Sequence, residues 1–250
     1  MEFEEFREEL LEKMSNISIN LTEKQVKQFY DYMNLLLEWN EKINLTAITE
    51  FHEIILKHFV DSVTISQFVS HDKSLIDVGT GAGFPGIPLK ILRPDLEIVL
   101  MDSLQKRINF LNEVILKLKL EKIQTIHARA EELGKNKKYR EKFDFATSRA
   151  VANLSVLLEY LVPFVKKDGK VICMKGSDIT EELENSKKAE NILGVSIESK
   201  EFLYLPGTDM ERNILIYSKI KNTPKEYPRK AGTPSSRIVA MSFCEPRSWF

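Results

Sequence analysis

Residues Leu75 to Pro88 read LIDVGTGAGFPGIP: an apolar run, an acidic residue, a glycine-rich turn and the first residues of a helix. Glycine lets the backbone adopt positive φ angles, and it lets a ligand approach without a Cβ atom in the way. In open α/β sheets such a turn lies at the carboxyl end of a strand, where small ligands bind. The stretch therefore predicts a ligand-binding turn in an α/β fold.

Two cofactors compete for this turn. Gly81 to Gly86 match the glycine spacing of dinucleotide-binding proteins. A pyrophosphate needs free backbone N–H groups at a helix N-terminus, however, and Pro85 and Pro88 each remove one. Asp77 also places a carboxylate before the glycines, which repels a pyrophosphate and suits a cation. S-adenosylmethionine carries an ammonium and a sulfonium and no phosphate, so the residues favour it, with a nicotinamide dinucleotide as the alternative.

The composition fits one large α/β domain with a small extension. The chain has 250 residues, of which 43% are hydrophobic, and its net charge is −1. The charge is uneven: residues 1–24 hold seven acidic and three basic side chains, whereas residues 219–250 hold seven basic and two acidic ones. This asymmetry fits either a polyanionic partner on one side or a solvated face with a loose basic tail.

Several classes of protein are not indicated by the sequence. Cys173 and Cys244 are the two cysteines, and neither has the spacing of a zinc site or a disulfide framework. Cys173 lies in an apolar run and is expected to be a buried thiol. The acidic N-terminus does not resemble a signal peptide, and we find no stretch long enough for a membrane span. We therefore expect a cytoplasmic protein, most simply a monomer, with no metal and no membrane partner.

Apolar spacing predicts helices in the first seventy residues and alternating strands and helices afterwards. Helices are predicted over 2–14, 22–42, 54–69, 87–92, 104–119, 153–166 and 178–192. Strands are predicted over 75–78, 97–101, 123–127, 143–147, 170–174, 196–204 and 213–219. The alternation indicates a Rossmann-like α/β fold with a doubly wound, mostly parallel seven-stranded sheet, and the last two strands indicate an antiparallel edge. We expect an N-terminal helical extension over 1–70, a cofactor-binding domain over 71–220 and a basic C-terminal tail over 221–250.

Polar residues follow several of the predicted strands. Asp102 ends a strand 21 residues after Gly81, where a carboxylate can accept hydrogen bonds from ribose hydroxyls. Asp102 or Ser103 would serve equally as the N-cap of the following helix. Ala130 and Glu131 follow the next strand, where they either meet an adenine ring or begin a solvated helix.

Two basic residues and a possible acid–base pair complete the candidates. Arg149 and Lys175 lie at carboxyl ends of strands, the functional edge of such sheets, and each would contact a cofactor carboxylate or an RNA phosphate or form a surface ion pair. His58 and Asp61 lie one turn apart on a predicted helix, and a structural hydrogen bond between them is the favoured interpretation. We find no Ser/His/Asp or Cys/His arrangement for nucleophilic catalysis.

Together these features resemble the bacterial 16S rRNA (guanine-N7) methyltransferase G family, once called glucose-inhibited division protein B. The resemblance runs from about residue 20 to residue 235. It is carried by LEWNEKINLT (37–46), HFVDS (58–62), DVGTGAGFPGIP (77–88), DSLQKR (102–107), SRAVA (148–152) and YPRKAGTP (227–234). One departure lies in the tail: residues 236–250 are more apolar than the short, polar, basic end typical of the family and finish with Trp249-Phe250.

The resemblance implies a class I methyltransferase in which residues 71–220 bind S-adenosylmethionine. The acceptor would be N7 of a guanine in the decoding-region loop of 16S rRNA, presented within the 30S subunit. The residues predicted to bind the cofactor, by the resemblance or by the reasoning above, are Asp77, Gly79, Gly81, Phe84, Asp102, Ser103, Ala130, Glu131 and Arg149. The residues predicted to bind RNA are Lys106, Arg107, Lys175, Arg212, Arg229 and Lys230. An RNA-binding module with a degenerate methyltransferase fold is the other alternative.

Overall fold

A seven-stranded sheet forms the centre of the computed structural model, which describes residues 2–149, 152–176 and 178–230. The strands of the described chain are β1 (Ser74–Val78), β2 (Glu97–Asp102), β3 (Ile123–His127), β4 (Phe143–Arg149), β5 (Val165–Lys175), β6 (Val195–Tyr204) and β7 (Glu211–Lys219). Their spatial order is β3-β2-β1-β4-β5-β7-β6. The first five strands pair in parallel, and β7 pairs antiparallel with both β5 and β6. The predicted doubly wound, mostly parallel sheet with an antiparallel edge is confirmed.

The strand order reverses between β1 and β4, and this reversal positions the site. Asp77 on β1 is in register with Leu100 on β2 and with Thr147 on β4. The carboxyl ends of the parallel strands, which include Asp102 and Arg149, therefore meet at one edge of the sheet. In open α/β sheets the crevice at such a reversal is where ligands bind.

The helices alternate with the strands after an all-helical start. Within the described residues they are α1 (Phe3–Ser15), α2 (Glu23–Ile43), α3 (Phe51–Ile54), α4 (Asp61–Val63), α5 (Gly86–Leu92), α6 (Gln105–Lys117), α7 (Ala130–Leu133), α8 (Leu154–Leu161) and α9 (Thr180–Leu193). The segment predicted as a helix over 54–69 is helical as far as Phe68, but it is not a regular α-helix: a π-helical segment (Ile55–Val60) joins α3 to α4, and a 3-10 helix (Thr64–Phe68) follows. π-helical turns within helices often mark functional sites.

The N-terminal helices pack against the face of the sheet that carries the glycine turn. Thr22 and Gln25 form a capping box at the start of α2. The Gln25 side-chain amide also donates to the carbonyl oxygens of Ile91 (2.9 Å) and Leu92 (3.1 Å) at the end of α5. Apolar residues of α1 and α2 and of β1 and β2 belong to one buried cluster. The helical start of the chain is thus packed onto the sheet.

The opposite face of the sheet is covered by α8 and α9. Cys173 is fully buried in this second cluster, and burial raises the pKa of its thiol to about 12. The helix predicted over 153–166 ends earlier, at Leu161, and β5 begins at Val165 instead of 170. Pro163 accounts for the early end because it lacks the N–H that an α-helix requires at that position. Val165 then pairs with Phe143 on β4.

The start of the predicted basic tail is attached to the body of the protein. Arg140 donates to the carbonyl oxygens of Thr223 (2.8 Å), Pro224 (3.1 Å) and Tyr227 (2.7 Å). The divergent residues 236–250 lie outside the described residues. None of the helices in the described part of the chain is long and apolar enough to cross a membrane. Its histidine, cysteine, aspartate and glutamate side chains form no cluster of three or more that could hold a metal ion.

Candidate functional site

The glycine turn after β1 is closed by hydrogen bonds within the protein. Gly81 has φ of +63°, where L side chains are strained, although a Cβ atom there would meet nothing within 4 Å. Gly83 is more constrained: its φ is +103°, and a Cβ atom would lie 2.6 Å from Ile87 Cγ1 and 2.7 Å from the Tyr32 hydroxyl oxygen. Gly81 therefore leaves space above the turn, whereas Gly83 lets it pack against α2 and α5.

Asp77 lies fully buried beneath the turn and holds it to the start of α5. Its Oδ2 accepts hydrogen bonds from the Thr80 hydroxyl (2.6 Å) and from the Gly86 backbone N–H (2.9 Å). Its Oδ1 has no hydrogen-bond partner among the described residues. Burial raises the pKa of this carboxyl to about 7, against the opposing effect of those two donors. A buried carboxylate with one free oxygen attracts a cation or a hydrogen-bond donor.

Most backbone N–H groups of the turn already have acceptors. Those of Gly79 and Thr80 donate to the Met101 carbonyl oxygen, at 2.8 and 3.0 Å. The N–H groups of residues 83 and 84 both donate to the Thr80 carbonyl oxygen, each at 2.9 Å. Gly81 donates to Asp102 Oδ2 at 2.9 Å. Few N–H groups are left for a pyrophosphate, so the geometry adds a second reason against a dinucleotide.

Asp102 joins the turn to the beginning of α6. Besides Gly81, its carboxylate accepts from the Leu104 N–H (2.9 Å) and from Arg107 Nη1 (3.3 Å), and the residue is 2% exposed. The helix begins at Gln105 with Leu104 as its N-cap, so the alternative role of Asp102 or Ser103 as the N-cap residue does not apply. Arg107, predicted to bind RNA, thus lies beside a carboxylate predicted to bind the cofactor, whereas Lys106 is exposed.

Arg149 connects the glycine turn to the π-helical segment. Its Nη1 donates to the Lys57 carbonyl oxygen (2.8 Å) and to Asp61 Oδ2 (3.1 Å), and its Nη2 donates to His58 Nδ1 (3.1 Å). The guanidinium carbon lies 5.0 Å from the centroid of the Phe84 ring. Burial lowers the pKa of Arg149, and Asp61 opposes that effect. Three partners and an aromatic face therefore hold one cation at the carboxyl end of β4.

His58 is a neutral hydrogen-bonding partner in this cluster. Its ring stacks on Phe84 with centroids 4.3 Å apart, and its Nε2 lies 2.9 Å from the Thr46 hydroxyl. Burial, and then the charge of Arg149, lower its pKa to about 3. The predicted His58–Asp61 hydrogen bond is wrong, because both imidazole nitrogens have other partners and Arg149 contacts both residues.

A cleft of about 330 Å³ opens beside this cluster. It is lined by Ile48, Lys57, His58, Asp61, Arg149, Met174, Lys175, Gly176 and Arg212. Arg212 on β7 donates from Nε to Asp61 Oδ1 at 3.0 Å, so one buried aspartate bridges two arginines. The sequence reasoning missed Ile48, Lys57, Met174 and Gly176. Met174 and Gly176 could have been predicted because they flank Lys175 at the end of a predicted strand. Ile48 and Lys57 have no such signal in the sequence.

The other predicted residues lie around this edge in different environments. Lys175 pairs with Glu182 (2.7 Å) and donates to the Ala152 carbonyl oxygen (2.9 Å). Ala130 is buried at the start of α7, next to the half-buried Glu131, which interacts with the Tyr160 hydroxyl.

Arg229 lies against α8 in a buried ion pair. Its Nε is 3.0 Å from Glu159 Oε1 and its Nη2 is 2.5 Å from Oε2, while Glu159 is 1% exposed. Lys230, by contrast, is exposed. The contact of Arg229 with RNA stays a prediction, and the structure gives this side chain a second, structural role.

The chain is similar to a well-defined set of known proteins. A model of the family described as rRNA small subunit methyltransferase G matches residues 25–213. A protein from Acetivibrio thermocellus named "Ribosomal RNA small subunit methyltransferase G" is 54% identical over 231 residues, covering 92% of this chain and 95% of that relative. A relative of the same name from Alkaliphilus oremlandii is 48% identical over 237 residues, covering 94% and 99%.

Solved structures with low sequence identity share the fold. M. jannaschii TYW2 in complex with AdoMet superposes with a TM-score of 0.51 at 16% identity, covering 65% of this chain and 76% of that one. M. capricolum TrmK in complex with S-adenosylhomocysteine also has a TM-score of 0.51, at 19% identity, covering 65% and 69%. These two structures show that the chain is similar to known proteins in its fold as well as in its sequence.

Proposed function

The chain belongs to the rRNA small subunit methyltransferase G family, and from that premise we propose that it transfers the methyl group of S-adenosylmethionine to N7 of a guanine in 16S rRNA. The acceptor would be presented by the 30S subunit in the cytoplasm, and the enzyme would act as a monomer. The observation that carries the proposal is the turn of residues 79–86, whose N–H groups are mostly used internally while two buried carboxylates lie against it.

The glycine turn supports the proposed cofactor, S-adenosylmethionine. Asp77 keeps one carboxylate oxygen without a partner among the described residues, and Asp102 lies at the end of the adjacent strand. Both suit a ligand with an ammonium and ribose hydroxyls. The residues proposed to hold it are Asp77, Gly79, Gly81, Phe84, Asp102, Ser103, Ala130, Glu131 and Arg149. When bound, S-adenosylmethionine supplies an electrophilic methyl group on a sulfonium.

The cleft beside Arg149 is the proposed binding site of the acceptor guanine. Guanine N7 is an unprotonated acceptor on an accessible edge of the base. With S-adenosylmethionine bound, N7 would accept the methyl group through its lone pair while the electrons of the carbon–sulfur bond go to sulfur, so no residue of the chain would have to move a proton. The protein has to align the two reactants, which suits a site built from positioning contacts. The residues proposed to bind the RNA are Lys106, Arg107, Lys175, Arg212, Arg229 and Lys230.

A methyl-transfer assay tests the proposal. The protein would be incubated with methyl-labelled S-adenosylmethionine and 30S subunits from a strain that lacks the gene, and the label mapped on the rRNA. We expect label on N7 of a single guanine. The matched control is Gly81→Val, which places a β-branched residue at φ of +63° and should lose cofactor binding. Cofactor binding by the wild type without any labelled guanine would reject the substrate, and salt-sensitive rRNA binding without cofactor binding would favour a degenerate module.

A further inference from the structure

Two aromatic side chains lie exposed on the edge strand β6. Phe202 and Tyr204 are 54% and 53% exposed, and their rings meet edge to face with centroids 5.0 Å apart. Along β6 the more exposed positions alternate with less exposed ones, so the two rings share one face. A strand at the edge of a sheet does not need two adjacent exposed aromatic rings for its stability, so the pair indicates a binding surface.

This pair lies at the same edge of the sheet as the cleft. Phe202 is in register with Asn213 on β7, and Asn213 is in register with Lys175 on β5. The three positions form one row, so Phe202 lies two strand spacings, about 10 Å, from Lys175. The Asn213 side chain donates to the Gly176 carbonyl oxygen at 2.7 Å, and Gly176 lines the cleft. Phe202 and Asn213 lie on the sheet face that α8 and α9 cover, opposite to the face on which Arg212 contacts Asp61. The aromatic pair therefore borders the cleft across the carboxyl edge of the sheet, through Lys175 and Gly176.

The charges around Phe202 and Tyr204 indicate that the rings would bind RNA by stacking on bases, since these charges would not attract its phosphates strongly. Glu211 is the cross-strand partner of Tyr204, and Asp209 is exposed in the turn between β6 and β7. Lys200 lies exposed on the same face of β6. A surface with both signs of charge does not attract a polyanion strongly, whereas aromatic rings stack on bases whatever their sequence. Exposed aromatic side chains on a sheet are a recurring platform for unpaired RNA bases.

We propose that Phe202 and Tyr204 stack against unpaired bases that flank the target guanine when that guanine occupies the cleft. This inference rests on the proposed function, since it takes the acceptor RNA to be the molecule in the cleft. The two rings increase the affinity for a single-stranded segment and fix its position along the surface. The arginines and lysines of the cleft supply the electrostatic contacts.

A kinetic comparison tests the stacking surface. The double variant Phe202→Ala/Tyr204→Ala should raise KM for 30S subunits about tenfold, in the range of aromatic stacking contacts, with kcat and cofactor affinity unchanged. The dependence of KM on salt concentration should keep its slope, because no charge is removed. Phe202→Trp/Tyr204→Trp should restore the wild-type KM. Leu116→Ala removes an apolar side chain that is 75% exposed on α6, and it should have no effect.

A second measurement separates this inference from the proposed function. A single-stranded rRNA fragment carrying 5-iodouridine beside the target guanine should crosslink on irradiation to peptides containing Phe202 or Tyr204, whether or not methyl transfer occurs. An unchanged KM in the double alanine variant, or crosslinks confined to other peptides, overturns the stacking surface. A raised KM for the subunit with unchanged affinity for the fragment would assign the surface to a ribosomal protein instead. Absence of methyl transfer by the wild type rejects the proposed function and leaves the crosslinking result to be judged separately.

Discussion

The guanidinium of Arg149 donates to the carboxylate of Asp61, which is 3% exposed, across a distance of 3.1 Å. Asp61 comes from the N-terminal helical part of the chain, whereas Arg149 ends a central strand 88 residues later. Because the same carboxylate also accepts from Arg212, it neutralises part of the positive charge that two buried arginines bring to the cleft. The position of Arg149 beside Phe84 thus depends on a residue far away in sequence.

Asp61→Asn is expected to disturb both stability and catalysis. The variant leaves two mostly buried arginines without their counter-charge, so the free energy of unfolding should fall by about 3 kcal/mol. Methyl transfer should lose at least about tenfold in kcat/KM because Arg149 is no longer held. Urea unfolding and the labelling assay measure the two effects. Asp31→Asn removes an exposed ion pair with Lys27 and should change neither; equal effects of both variants would contradict the role of Asp61.

Gly176→Phe is expected to block the cleft without disturbing the fold. A Cβ atom on Gly176 would meet nothing within 4 Å, and the residue lines the cleft. A large side chain there should lower kcat/KM for the subunit by roughly a hundredfold, as misplaced reactants do, while cofactor affinity stays at the wild-type value. Gly176→Ala is the matched control, expected to remain active. A fully active Gly176→Phe variant would show that the acceptor does not enter here.

The buried, neutral His58 predicts a specific dependence of stability on pH. The unfolded chain binds a proton at this histidine below about pH 6.5, whereas the native pKa is lowered to about 3. Between these values the unfolded state holds the extra proton, so the contribution of His58 to stability falls as pH falls, by at most about 1.4 kcal/mol per pH unit. His58→Asn keeps an acceptor for Arg149 and removes the titration. Urea unfolding from pH 7 to 4.5 should therefore show a shallower loss in the variant; parallel curves would refute a neutral buried imidazole.

Arg229 and Lys230 are adjacent in sequence and should behave differently. Arg229→Ala leaves Glu159 buried without its partner, so the free energy of unfolding should fall by about 3 kcal/mol. The slope of log affinity for rRNA against log salt should also fall by about one charge in that variant, because Arg229 is proposed to bind the RNA as well. Lys230→Ala should leave stability intact and reduce the slope by about one charge. An unchanged salt slope for Arg229→Ala would show that this side chain has only its structural role beside Glu159.

The strands and the glycine turn could be predicted because their signals are local. Leu75, Ile76 and Val78 are apolar and glycines follow them directly, so both the strand and its ligand-binding end could be predicted from neighbouring residues. The helix predicted over 153–166 extends beyond the observed end of α8 because the apolar spacing continues past Leu161, although Pro163 disfavours an α-helix there. The π-helical segment has no such signal, because its sequence is equally compatible with an ordinary helix.

The partners of the charged residues could not be predicted for a different reason. Glu159 lies 70 residues from Arg229, and Asp61 lies 151 residues from Arg212. Such pairs depend on how the fold brings α4, α8, β7 and the segment after β7 together, which sequence spacing does not encode. The predicted bond between His58 and Asp61 failed for this reason, since the long-range partner Arg149 contacts both side chains.

The hydroxyl of Tyr32 on α2 donates to the Ala82 carbonyl oxygen inside the glycine turn. Burial raises the pKa of Tyr32 well above its ordinary value, which favours the protonated hydroxyl that donates this hydrogen bond. Helix α2 and the turn are therefore expected to be thermodynamically linked. A ligand that orders the turn also favours packing of α2 against it. By reciprocity, a change that loosens α2 lowers the affinity for the ligand by the same factor. Amide hydrogens of α2 should accordingly exchange more slowly with solvent when the turn is occupied.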